Sequence, residues 1–377
     1  MPSAKPLTIF VDAHSVDKGY QGTHTFLRRL YGEVMQQYPE LDIYFGTYDP
    51  EAIRSAFPAL DPCKILTYRR WRPRILRFVY DIPRYIRKYR FDFVHYQYLG
   101  VPWKTDALSI VTLHDVLYED YPGDFPYVYR LLRKFLFSGS LRNADIKTTV
   151  SDYSRNRIAE HYRVPEKEIH IIPNSVDFPK LCSSRMDAEA WVQNKYGISN
   201  FILYVSRVEP RKNQLLLLEK YLSMGLHRQG IQMVFIGAQG IHVPHWKKML
   251  KAEQGRVHWF QRVDQEDLAA FYSACRLFIY PSRAEGFGIP PLEAALFGAP
   301  VLCSRSAAMS SYHFFEPYTF DPQEGDELEE KLMDMIQHPP GPGFLKKVSE
   351  QVTQSYSRLE SARIFHSLIQ QRQQAWH

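Results

Sequence analysis

The sequence predicts an α/β protein built from two doubly wound, Rossmann-like domains that face each other across a cleft. Three observations carry that expectation. The chain has 377 residues, too many for one ordinary core and comfortable for two. Short apolar runs alternate with longer amphipathic ones, the pattern of parallel strands joined by crossover helices. The alternation runs twice, with a polar join between the two series. Hydrophobic residues make up 45% and charged residues 23% of the chain, a balance that supports folded cores and excludes a disordered protein.

In the first series "LTIFVDAHS" reads as a strand, and "THTFLRRLYGEVMQQY" as a helix with its apolar side at helical spacing. "LDIYFGTY", "FDFVHYQY", "ALSIVTLHD" and "DIKTTVS" read as further buried strands. The join, "NSVDFPKLCSSRMDAEAW", is polar and lacks clear periodicity. The second series holds the strands "NFILYVSRV", "IQMVFIGA", "RVHWFQRV", "RLFIYPS" and "APVLCS". The last stretch, "SRLESARIFHSLIQQRQQAW", reads as a helix with Ala362, Ile364, Phe365, Leu368 and Ile369 on its apolar side. The expected domains are residues 1–180 and 190–355, with a helix at about 357–377 packing back on the first. Ligands of open α/β sheets sit outside the carboxyl ends of the strands, so the expected site is the cleft between the domains.

A formal charge of +6 favours anionic partners without naming one. Cys63, Cys182, Cys275 and Cys303 are far apart and form no metal-binding spacing, which predicts reduced thiols rather than zinc or a disulfide framework. The start, "MPSAKPLTIFVDAHS", lacks a signal peptide's long apolar core, and no stretch approaches ~20 apolar residues. These features predict a cytoplasmic protein, dissolved or lying on the inner face of a membrane.

The chemistry concentrates at strand ends. In "RAEGFGIPPLEAALFGAP", residues 283–300, an apolar strand runs through a glycine turn into a helix. Gly286 and Gly288 permit close backbone approach, and Pro290 and Pro291 suit a helix start. The free amides and dipole of that start favour a phosphate. Glu293, expected in the first helical turn, suits a ribose diol, and Glu285 would face the phosphate and sugar side. A plain strand-to-helix corner would explain the glycines but not the whole E-G-F-G-x-P-x-x-E pattern. In "YVSRVEPRKNQLLLLEK", Arg207 and Lys212 follow a strand and can clamp a diphosphate, one as a fork and one as a point charge. A solvated basic loop is the plainer alternative. In "TLHDVLYED", His114 stands beside Asp115 at a strand end, placed to bond a substrate hydroxyl or to move a proton, unless it is a core histidine. Gly19 and Gly22 in "DKGYQGTHTFLRRL" open a helix and suit a phosphate, as many first βα turns do.

Taken in chain order, these pieces resemble the family 4 glycosyltransferases, the retaining enzymes of GT-B fold. "SRAEGFGIPPLEAALFGAPVLCS" is similar to their E-x7-E signature, and the glycine loop, "LHD", "IPNSVD", "SRVEPRKN" and "FIGA" follow the family order. The likeness covers nearly the whole chain. Ser175 stands where the family usually has glycine, and Arg358 departs from an aromatic-tryptophan pair common in the tail; neither touches the expected donor site. The resemblance implies an N-terminal acceptor domain and a C-terminal nucleotide-sugar donor domain. It implies that Arg207 and Lys212 hold the donor diphosphate and stabilise the leaving nucleotide. Glu285 would contact the transferred sugar, Glu293 the ribose, and His114 the sugar or donor phosphate. The backbone of Phe287, Gly288 and Ile289 would line phosphate and sugar, with Gly22 and Gly237 close to the donor. Arg262 and Val263, in "WFQRVDQEDL", would lie nearest the base. The family type needs no metal, so no cofactor is expected. The signature is similar in style to mannosyl- and rhamnosyltransferases of bacterial polysaccharide pathways. The expected donor is therefore GDP-mannose or a related GDP-sugar, and the acceptor a saccharide or lipid-linked glycan of a surface polysaccharide or lipopolysaccharide.

Residues 69–90, "RRWRPRILRFVYDIPRYIRKYR", hold nine Arg or Lys and one acid, with aromatic residues interleaved. Such a stretch suits anionic lipid headgroups and would equally suit nucleic acid, or it is a solvated helical face. Acceptor or membrane contact is assigned to His24 and to Arg72, Arg74, Arg77, Arg84, Arg87 and Lys88. Two other functions remain open: a nucleotide-sugar epimerase of the same fold, and a non-catalytic anion- or nucleic-acid-binding protein using residues 69–90. Paired carboxylates also invite a glycoside hydrolase. No recognised DNA- or RNA-binding module appears, and nucleic acid is not an expected partner.

Overall fold

The computed structural model describes residues 6–18, 22–70, 73–177, 184–253 and 255–375. It divides into two compact units: residues 1–175 with 358–377, and residues 176–357.

The first unit begins β1 (Leu7–Asp12), α1 (Gly22–Gln37), β2 (Leu41–Thr47), α2 (Pro50–Ala56), β3 (Ile65–Thr67) and α3 (Asp81–Tyr89). It continues through β4 (Phe93–Gln97), β5 (Leu108–Thr112), α4 (Leu117–Asp120), α5 (Tyr127–Asn143), β6 (Ile146–Thr149), α6 (Asp152–Tyr162) and β7 (Ile169–Ile171). The second unit runs α7 (Arg185–Tyr196), β8 (Phe201–Val205), α8 (Gln214–Ser223), β9 (Gln232–Ile236), α9 (Trp246–Ala252) and β10 (Val257–Phe260). It ends with α10 (Gln265–Ala274), β11 (Leu277–Tyr280), α11 (Ile289–Leu296), β12 (Val301–Ser304), β13 (Thr319–Phe320), α12 (Gly325–Gln337) and α13 (Pro342–Ser355). The last helix, α14 (Arg358–Gln374), belongs to the first unit.

Among the described residues both sheets are parallel. The first has the order β3-β2-β1-β4-β5-β6-β7 and the second β10-β9-β8-β11-β12-β13. Helices cover both faces of such sheets, so their strands are buried nearly end to end, as β4 and β11 are. This is the two-domain α/β fold that the alternation predicts. Three edge strands, β3, β7 and β13, add to the expected set; at two or three residues each they are too short to show a period. The expected join also holds more order than its polarity suggests. Ser184 caps α7, its hydroxyl accepting from the Asp187 amide.

The α14 helix is held by its apolar side. Phe365 is buried, with its ring 5.4 Å from Tyr31 of α1 and stacked 5.6 Å from His95 of β4. The Ser361 hydroxyl donates to the Pro173 carbonyl at 2.9 Å. Phe365→Ala empties a packed site, so it is expected to lower stability by ~3–5 kcal/mol. Urea unfolding monitored by circular dichroism reads this directly; a loss under ~1 kcal/mol would show that α14 is not part of the first unit's core.

Candidate functional site

In the second unit the strand order reverses between β8 and β11, which are neighbours. From β8 the chain passes through α8 to β9 on one side, and from β11 through α11 to β12 on the other. Such a reversal opens a crevice at the carboxyl ends of the two strands. Two loops fill it, 206–213 and 281–288, tied by the Arg283 amide donating to the Arg211 carbonyl at 2.8 Å.

These loops carry a row of alternating charges. Arg207 Nη2 lies 2.8 Å from Glu209 Oε1, and Glu209 Oε2 lies 2.9 Å from Arg211 Nη2. Arg211 Nη1 reaches Glu285 Oε2 at 3.3 Å, and the other Glu285 oxygen pairs with Lys212 Nζ. The Tyr280 hydroxyl and Ser282 hydroxyl donate to that same oxygen at 2.8 and 2.7 Å. Lys212, Glu209 and Glu285 are buried, whereas the Arg207 side chain is 53% exposed. Burial alone would raise the Glu285 carboxyl, but Lys212 and Arg211 outweigh it and hold it down to about 2. Burial pulls the Lys212 ammonium down; Glu285 opposes this and Arg211 adds to it, leaving it at about 8.

The structure brings Arg207, Lys212 and Glu285 into one network, although Arg207 joins it only through Glu209 and Arg211. Neither Glu209 nor Arg211 is among the candidates that the sequence motifs nominate. Their signal is present in the alternation R-x-E-x-R-K of residues 207–212. Gly237, at the end of β9, has φ +146°, and a Cβ there would stand 2.1 Å from the Ser206 carbonyl oxygen. Only glycine lets β9 pass this close to the start of the Arg207 loop.

Gly288 precedes α11 with φ +91°, where a Cβ would crowd Met309 at 2.9 Å. Phe287 is buried, its carbonyl accepting from the Tyr312 hydroxyl at 2.5 Å. The helix begins at Ile289, so Glu293 is its fifth residue and not in the first turn as expected. Glu293 is buried and accepts from the Tyr272 hydroxyl at 3.2 Å. Exposed Arg262 and half-buried Val263 follow β10, at the sheet's far edge.

The first unit has its own reversal, between β1 and β4. His114, two residues past β5, is buried, and its Nε2 lies 2.7 Å from Gln97 Oε1. The Gln97 amide nitrogen faces His95 Nε2 at 3.1 Å, and His95 Nδ1 faces the Tyr31 hydroxyl at 2.6 Å. With the amide in this orientation, Nε2 of His114 carries the hydrogen and Nδ1 is left as an acceptor. Burial holds the imidazole down to about 3. A neutral ring with Nδ1 as an acceptor can bond a hydroxyl, one of the two roles that its place at the strand end suggests. Asp115 instead accepts from the Tyr98 hydroxyl at 3.3 Å.

Gly22 opens α1, and among the described residues, its chain neighbours and the helix's own backbone aside, no atom lies within 4 Å of where a Cβ would sit. Packing therefore gives no reason for glycine there. His24 is half-buried in the first turn of α1. Gly19, Arg72 and Cys182 lie outside the described residues.

The 69–90 stretch divides. Arg74, Arg84, Arg87 and Lys88 are exposed. Arg77 is not a surface cation: it is buried, with Nη2 3.0 Å from Asp12 Oδ2, in a cluster that also takes in His14 and Tyr68. A carboxylate buried at the end of β1 needs a counterion, and Arg77 supplies it. Among the described residues no group of three or more His, Cys, Asp or Glu is placed to hold a metal ion, and no helix is long and apolar enough to cross a membrane.

Comparison with known proteins follows the two units. The model for glycosyl transferases group 1 matches residues 186–354, and that for glycosyltransferase family 4 matches residues 20–179. O-antigen chain mannosyltransferase B of Escherichia coli is 29% identical over 293 residues, covering 75% of this chain and 73% of that protein. Serotype-specific mannosyltransferase WbdA of Escherichia coli is 28% identical over 242 residues, covering 60% of this chain but 28% of that longer protein. The solved structure of sucrose-phosphate synthase from Thermosynechococcus elongatus superposes with a TM-score of 0.77 at 19% identity, over 98% of this chain and 100% of that one.

Two glycine substitutions separate packing from ligand approach. Gly237→Ala is expected to destabilise the protein by ~2 kcal/mol or more, because its Cβ meets backbone. Gly22→Ala should leave stability within ~1 kcal/mol. Thermal unfolding of both variants checks the pair, and a large loss for Gly22→Ala would make that glycine a folding requirement.

Proposed function

Because the chain belongs to the family 4 glycosyltransferases of GT-B fold, we propose that it moves mannose from GDP-mannose to a saccharide or lipid-linked glycan of a surface polysaccharide or lipopolysaccharide. The transfer retains anomeric configuration and uses no metal; a GDP-linked rhamnose is the next choice of donor. The row Arg207–Glu209–Arg211–Glu285–Lys212 at the strand reversal carries this reading. The two relatives named as mannosyltransferases support the choice of sugar.

When the bond from the sugar's anomeric carbon to the diphosphate breaks, negative charge grows on the leaving oxygen. The exposed Arg207 fork and the buried Lys212 are the cations available to it, and they need no rearrangement as the charge appears. The acceptor hydroxyl attacks from the same face, and the departing phosphate oxygen takes its proton. Glu285 stays ionised throughout, orienting Lys212 and facing the sugar. The amides at Gly288 and Ile289 turn toward the diphosphate. Glu293 takes the ribose. Arg262 and Val263, three strand spacings or ~14 Å from β11, take the base.

The same geometry weighs against a hydrolase. A general acid must hold a proton near neutral pH, and Glu285 is held ionised with four donors around it. An epimerase would change the sugar nucleotide without consuming an acceptor, so product analysis separates it from a transferase.

Calorimetric titration with GDP, UDP, dTDP and CMP in the presence of EDTA is expected to show tight binding of GDP alone. Binding of another diphosphate would replace the proposed donor, and binding of none by folded protein would remove the donor site. Lys212→Ala is expected to lower turnover ~10²–10³-fold with the fold retained.

Diphosphate binding favours the charged form of Lys212, so binding takes up a proton around pH 8. The sign follows: affinity is greatest below about 8 and falls as pH rises through it, by up to ~tenfold per pH unit. Titrations from pH 7 to pH 10, as rough limits, test this. A flat profile would take Lys212 out of diphosphate binding.

A further inference from the structure

The turn between β11 and α11 is held from behind through its carbonyls. The Ser304 hydroxyl donates to the Ser282 carbonyl at 2.6 Å, and the Ser306 hydroxyl to that of Arg283 at 2.7 Å. The Ala308 amide reaches the Glu285 carbonyl at 3.3 Å. The Tyr312 hydroxyl donates to the Phe287 carbonyl at 2.5 Å and stands 3.4 Å from that of Gly288. All four donors come from residues 304–312, the segment that leaves β12. From the other loop, Arg211 Nη1 holds the Ala284 carbonyl at 2.6 Å.

In a planar trans peptide the N–H points opposite to the C=O. A carbonyl fixed toward residues 304–312 therefore turns the next residue's amide away from them. The first peptide of the turn follows this rule: the Ser282 carbonyl faces Ser304, while the Arg283 amide faces the Arg211 carbonyl at 2.8 Å. At the end of the turn, Tyr312 holds the two peptides whose amides belong to Gly288 and Ile289. These residues open α11, and the first amides of a helix have no acceptor within it. Tyr312 is itself buried, its ring stacked on Phe314 at 5.5 Å and edge-on to Tyr356 at 6.0 Å. Burial pushes its phenol well above the usual tyrosine value, so the hydroxyl keeps its hydrogen through neutral and mildly alkaline pH.

We propose that Tyr312 is a positioning residue for the donor diphosphate: by holding the carbonyls of Phe287 and Gly288, it aims the amides of Gly288 and Ile289 at phosphate oxygens. The inference rests on the donor reading above and adds to it a residue outside the E-G-F-G-x-P-x-x-E pattern. Tyr312 acts only through the backbone and touches no ligand. Its bond matters because Gly288, at φ +91°, has no side chain to resist a turning of the peptides on either side of it. Without the hydroxyl, either peptide is able to turn over and present its carbonyl oxygen to the anion. Such a turn removes a donor and adds a repelling acceptor in its place.

Tyr312→Phe in the full chain tests this, since it removes the hydroxyl and keeps the ring. Parent and variant are titrated with GDP and with inorganic pyrophosphate, which carries the diphosphate without base or sugar. Both probes are expected to bind the variant ~tenfold more weakly. Its thermal midpoint should stay within about 5 °C of the parent's. In ligand-free protein, amide hydrogen exchange over residues 286–291 should speed up ~fivefold or more in the variant. Leu332→Ala, in the buried side of α12, is the control for stability alone: it should lower the midpoint and leave pyrophosphate affinity unchanged. The proposal is overturned if Tyr312→Phe binds pyrophosphate as tightly as the parent, or if exchange over 286–291 does not change. It is also overturned if Leu332→Ala weakens binding as much as Tyr312→Phe does. A folded parent that binds neither probe removes the donor reading and the proposal with it, and that outcome is read on the parent alone.

Discussion

A parallel sheet has one place where the chain leaves adjacent strands in opposite directions, and the second unit is organised around it. With the order β10-β9-β8-β11-β12-β13, the crossover from β8 covers one face and the crossover from β11 the other. Neither crossover closes the gap at the carboxyl ends. Whatever the two departing loops present there is backed by the sheet core and left open in front. The position of Arg207, Lys212, Glu285 and Gly288 follows from this topology. Gly237 serves the same junction from β9, because its missing Cβ lets the neighbouring strand end beside Ser206.

Charges in such a place must be neutralised before any ligand arrives. Lys212 and Glu285 are both buried, and a buried charge without a partner costs several kcal/mol, on the order of 3–5 when one member of a pair is lost. The row Arg207–Glu209–Arg211–Glu285–Lys212 solves this by alternation. Each carboxylate lies between two cations, and three cations to two anions leave one net positive charge. The exposed end of the row is Arg207. An anion approaching the row would meet a cation in water, while the buried members remain paired. The depressed ammonium of Lys212 is the cost of this arrangement, and a second anion at the site would relieve it.

Much of this was legible in the sequence because it rests on local rules. Strand-helix alternation gave the central strands of both sheets, and the glycine turn before Pro290 marked a helix start at a strand end. What was not legible depends on contacts distant in sequence. Edge strands such as β13 exist only because a neighbour pairs with them. Glu209 and Arg211 were visible as charges, but their role appears only when loop 281–288 is placed beside them. The surroundings of His114 were hidden for a similar reason. Burial by Phe26 and Tyr98 and the bond to Gln97, seventeen residues earlier, set its protonation, and none of that is written in "TLHD".

The basic stretch 69–90 shows how composition can merge two unrelated uses of one residue type. Arg84, Arg87 and Lys88 stand on the outer side of α3, held there by the inward Ile82 and Ile86. Arg77 is turned the other way, onto Asp12. Burial would raise the Asp12 carboxyl, yet Arg77 and His14 outweigh it and hold it well below the usual carboxylate range. Tyr68, just past β3, donates to the same carboxylate at 2.9 Å, so Asp12 ties the ends of β1 and β3 to the Arg77 segment. Reversing every charge in the stretch would therefore place a carboxylate against buried Asp12 and disrupt the strand ends of the first unit. Any loss of surface binding would then be indistinguishable from loss of fold. The surface role of these cations is separable only through the residues that α3 turns outward, Arg84, Arg87 and Lys88.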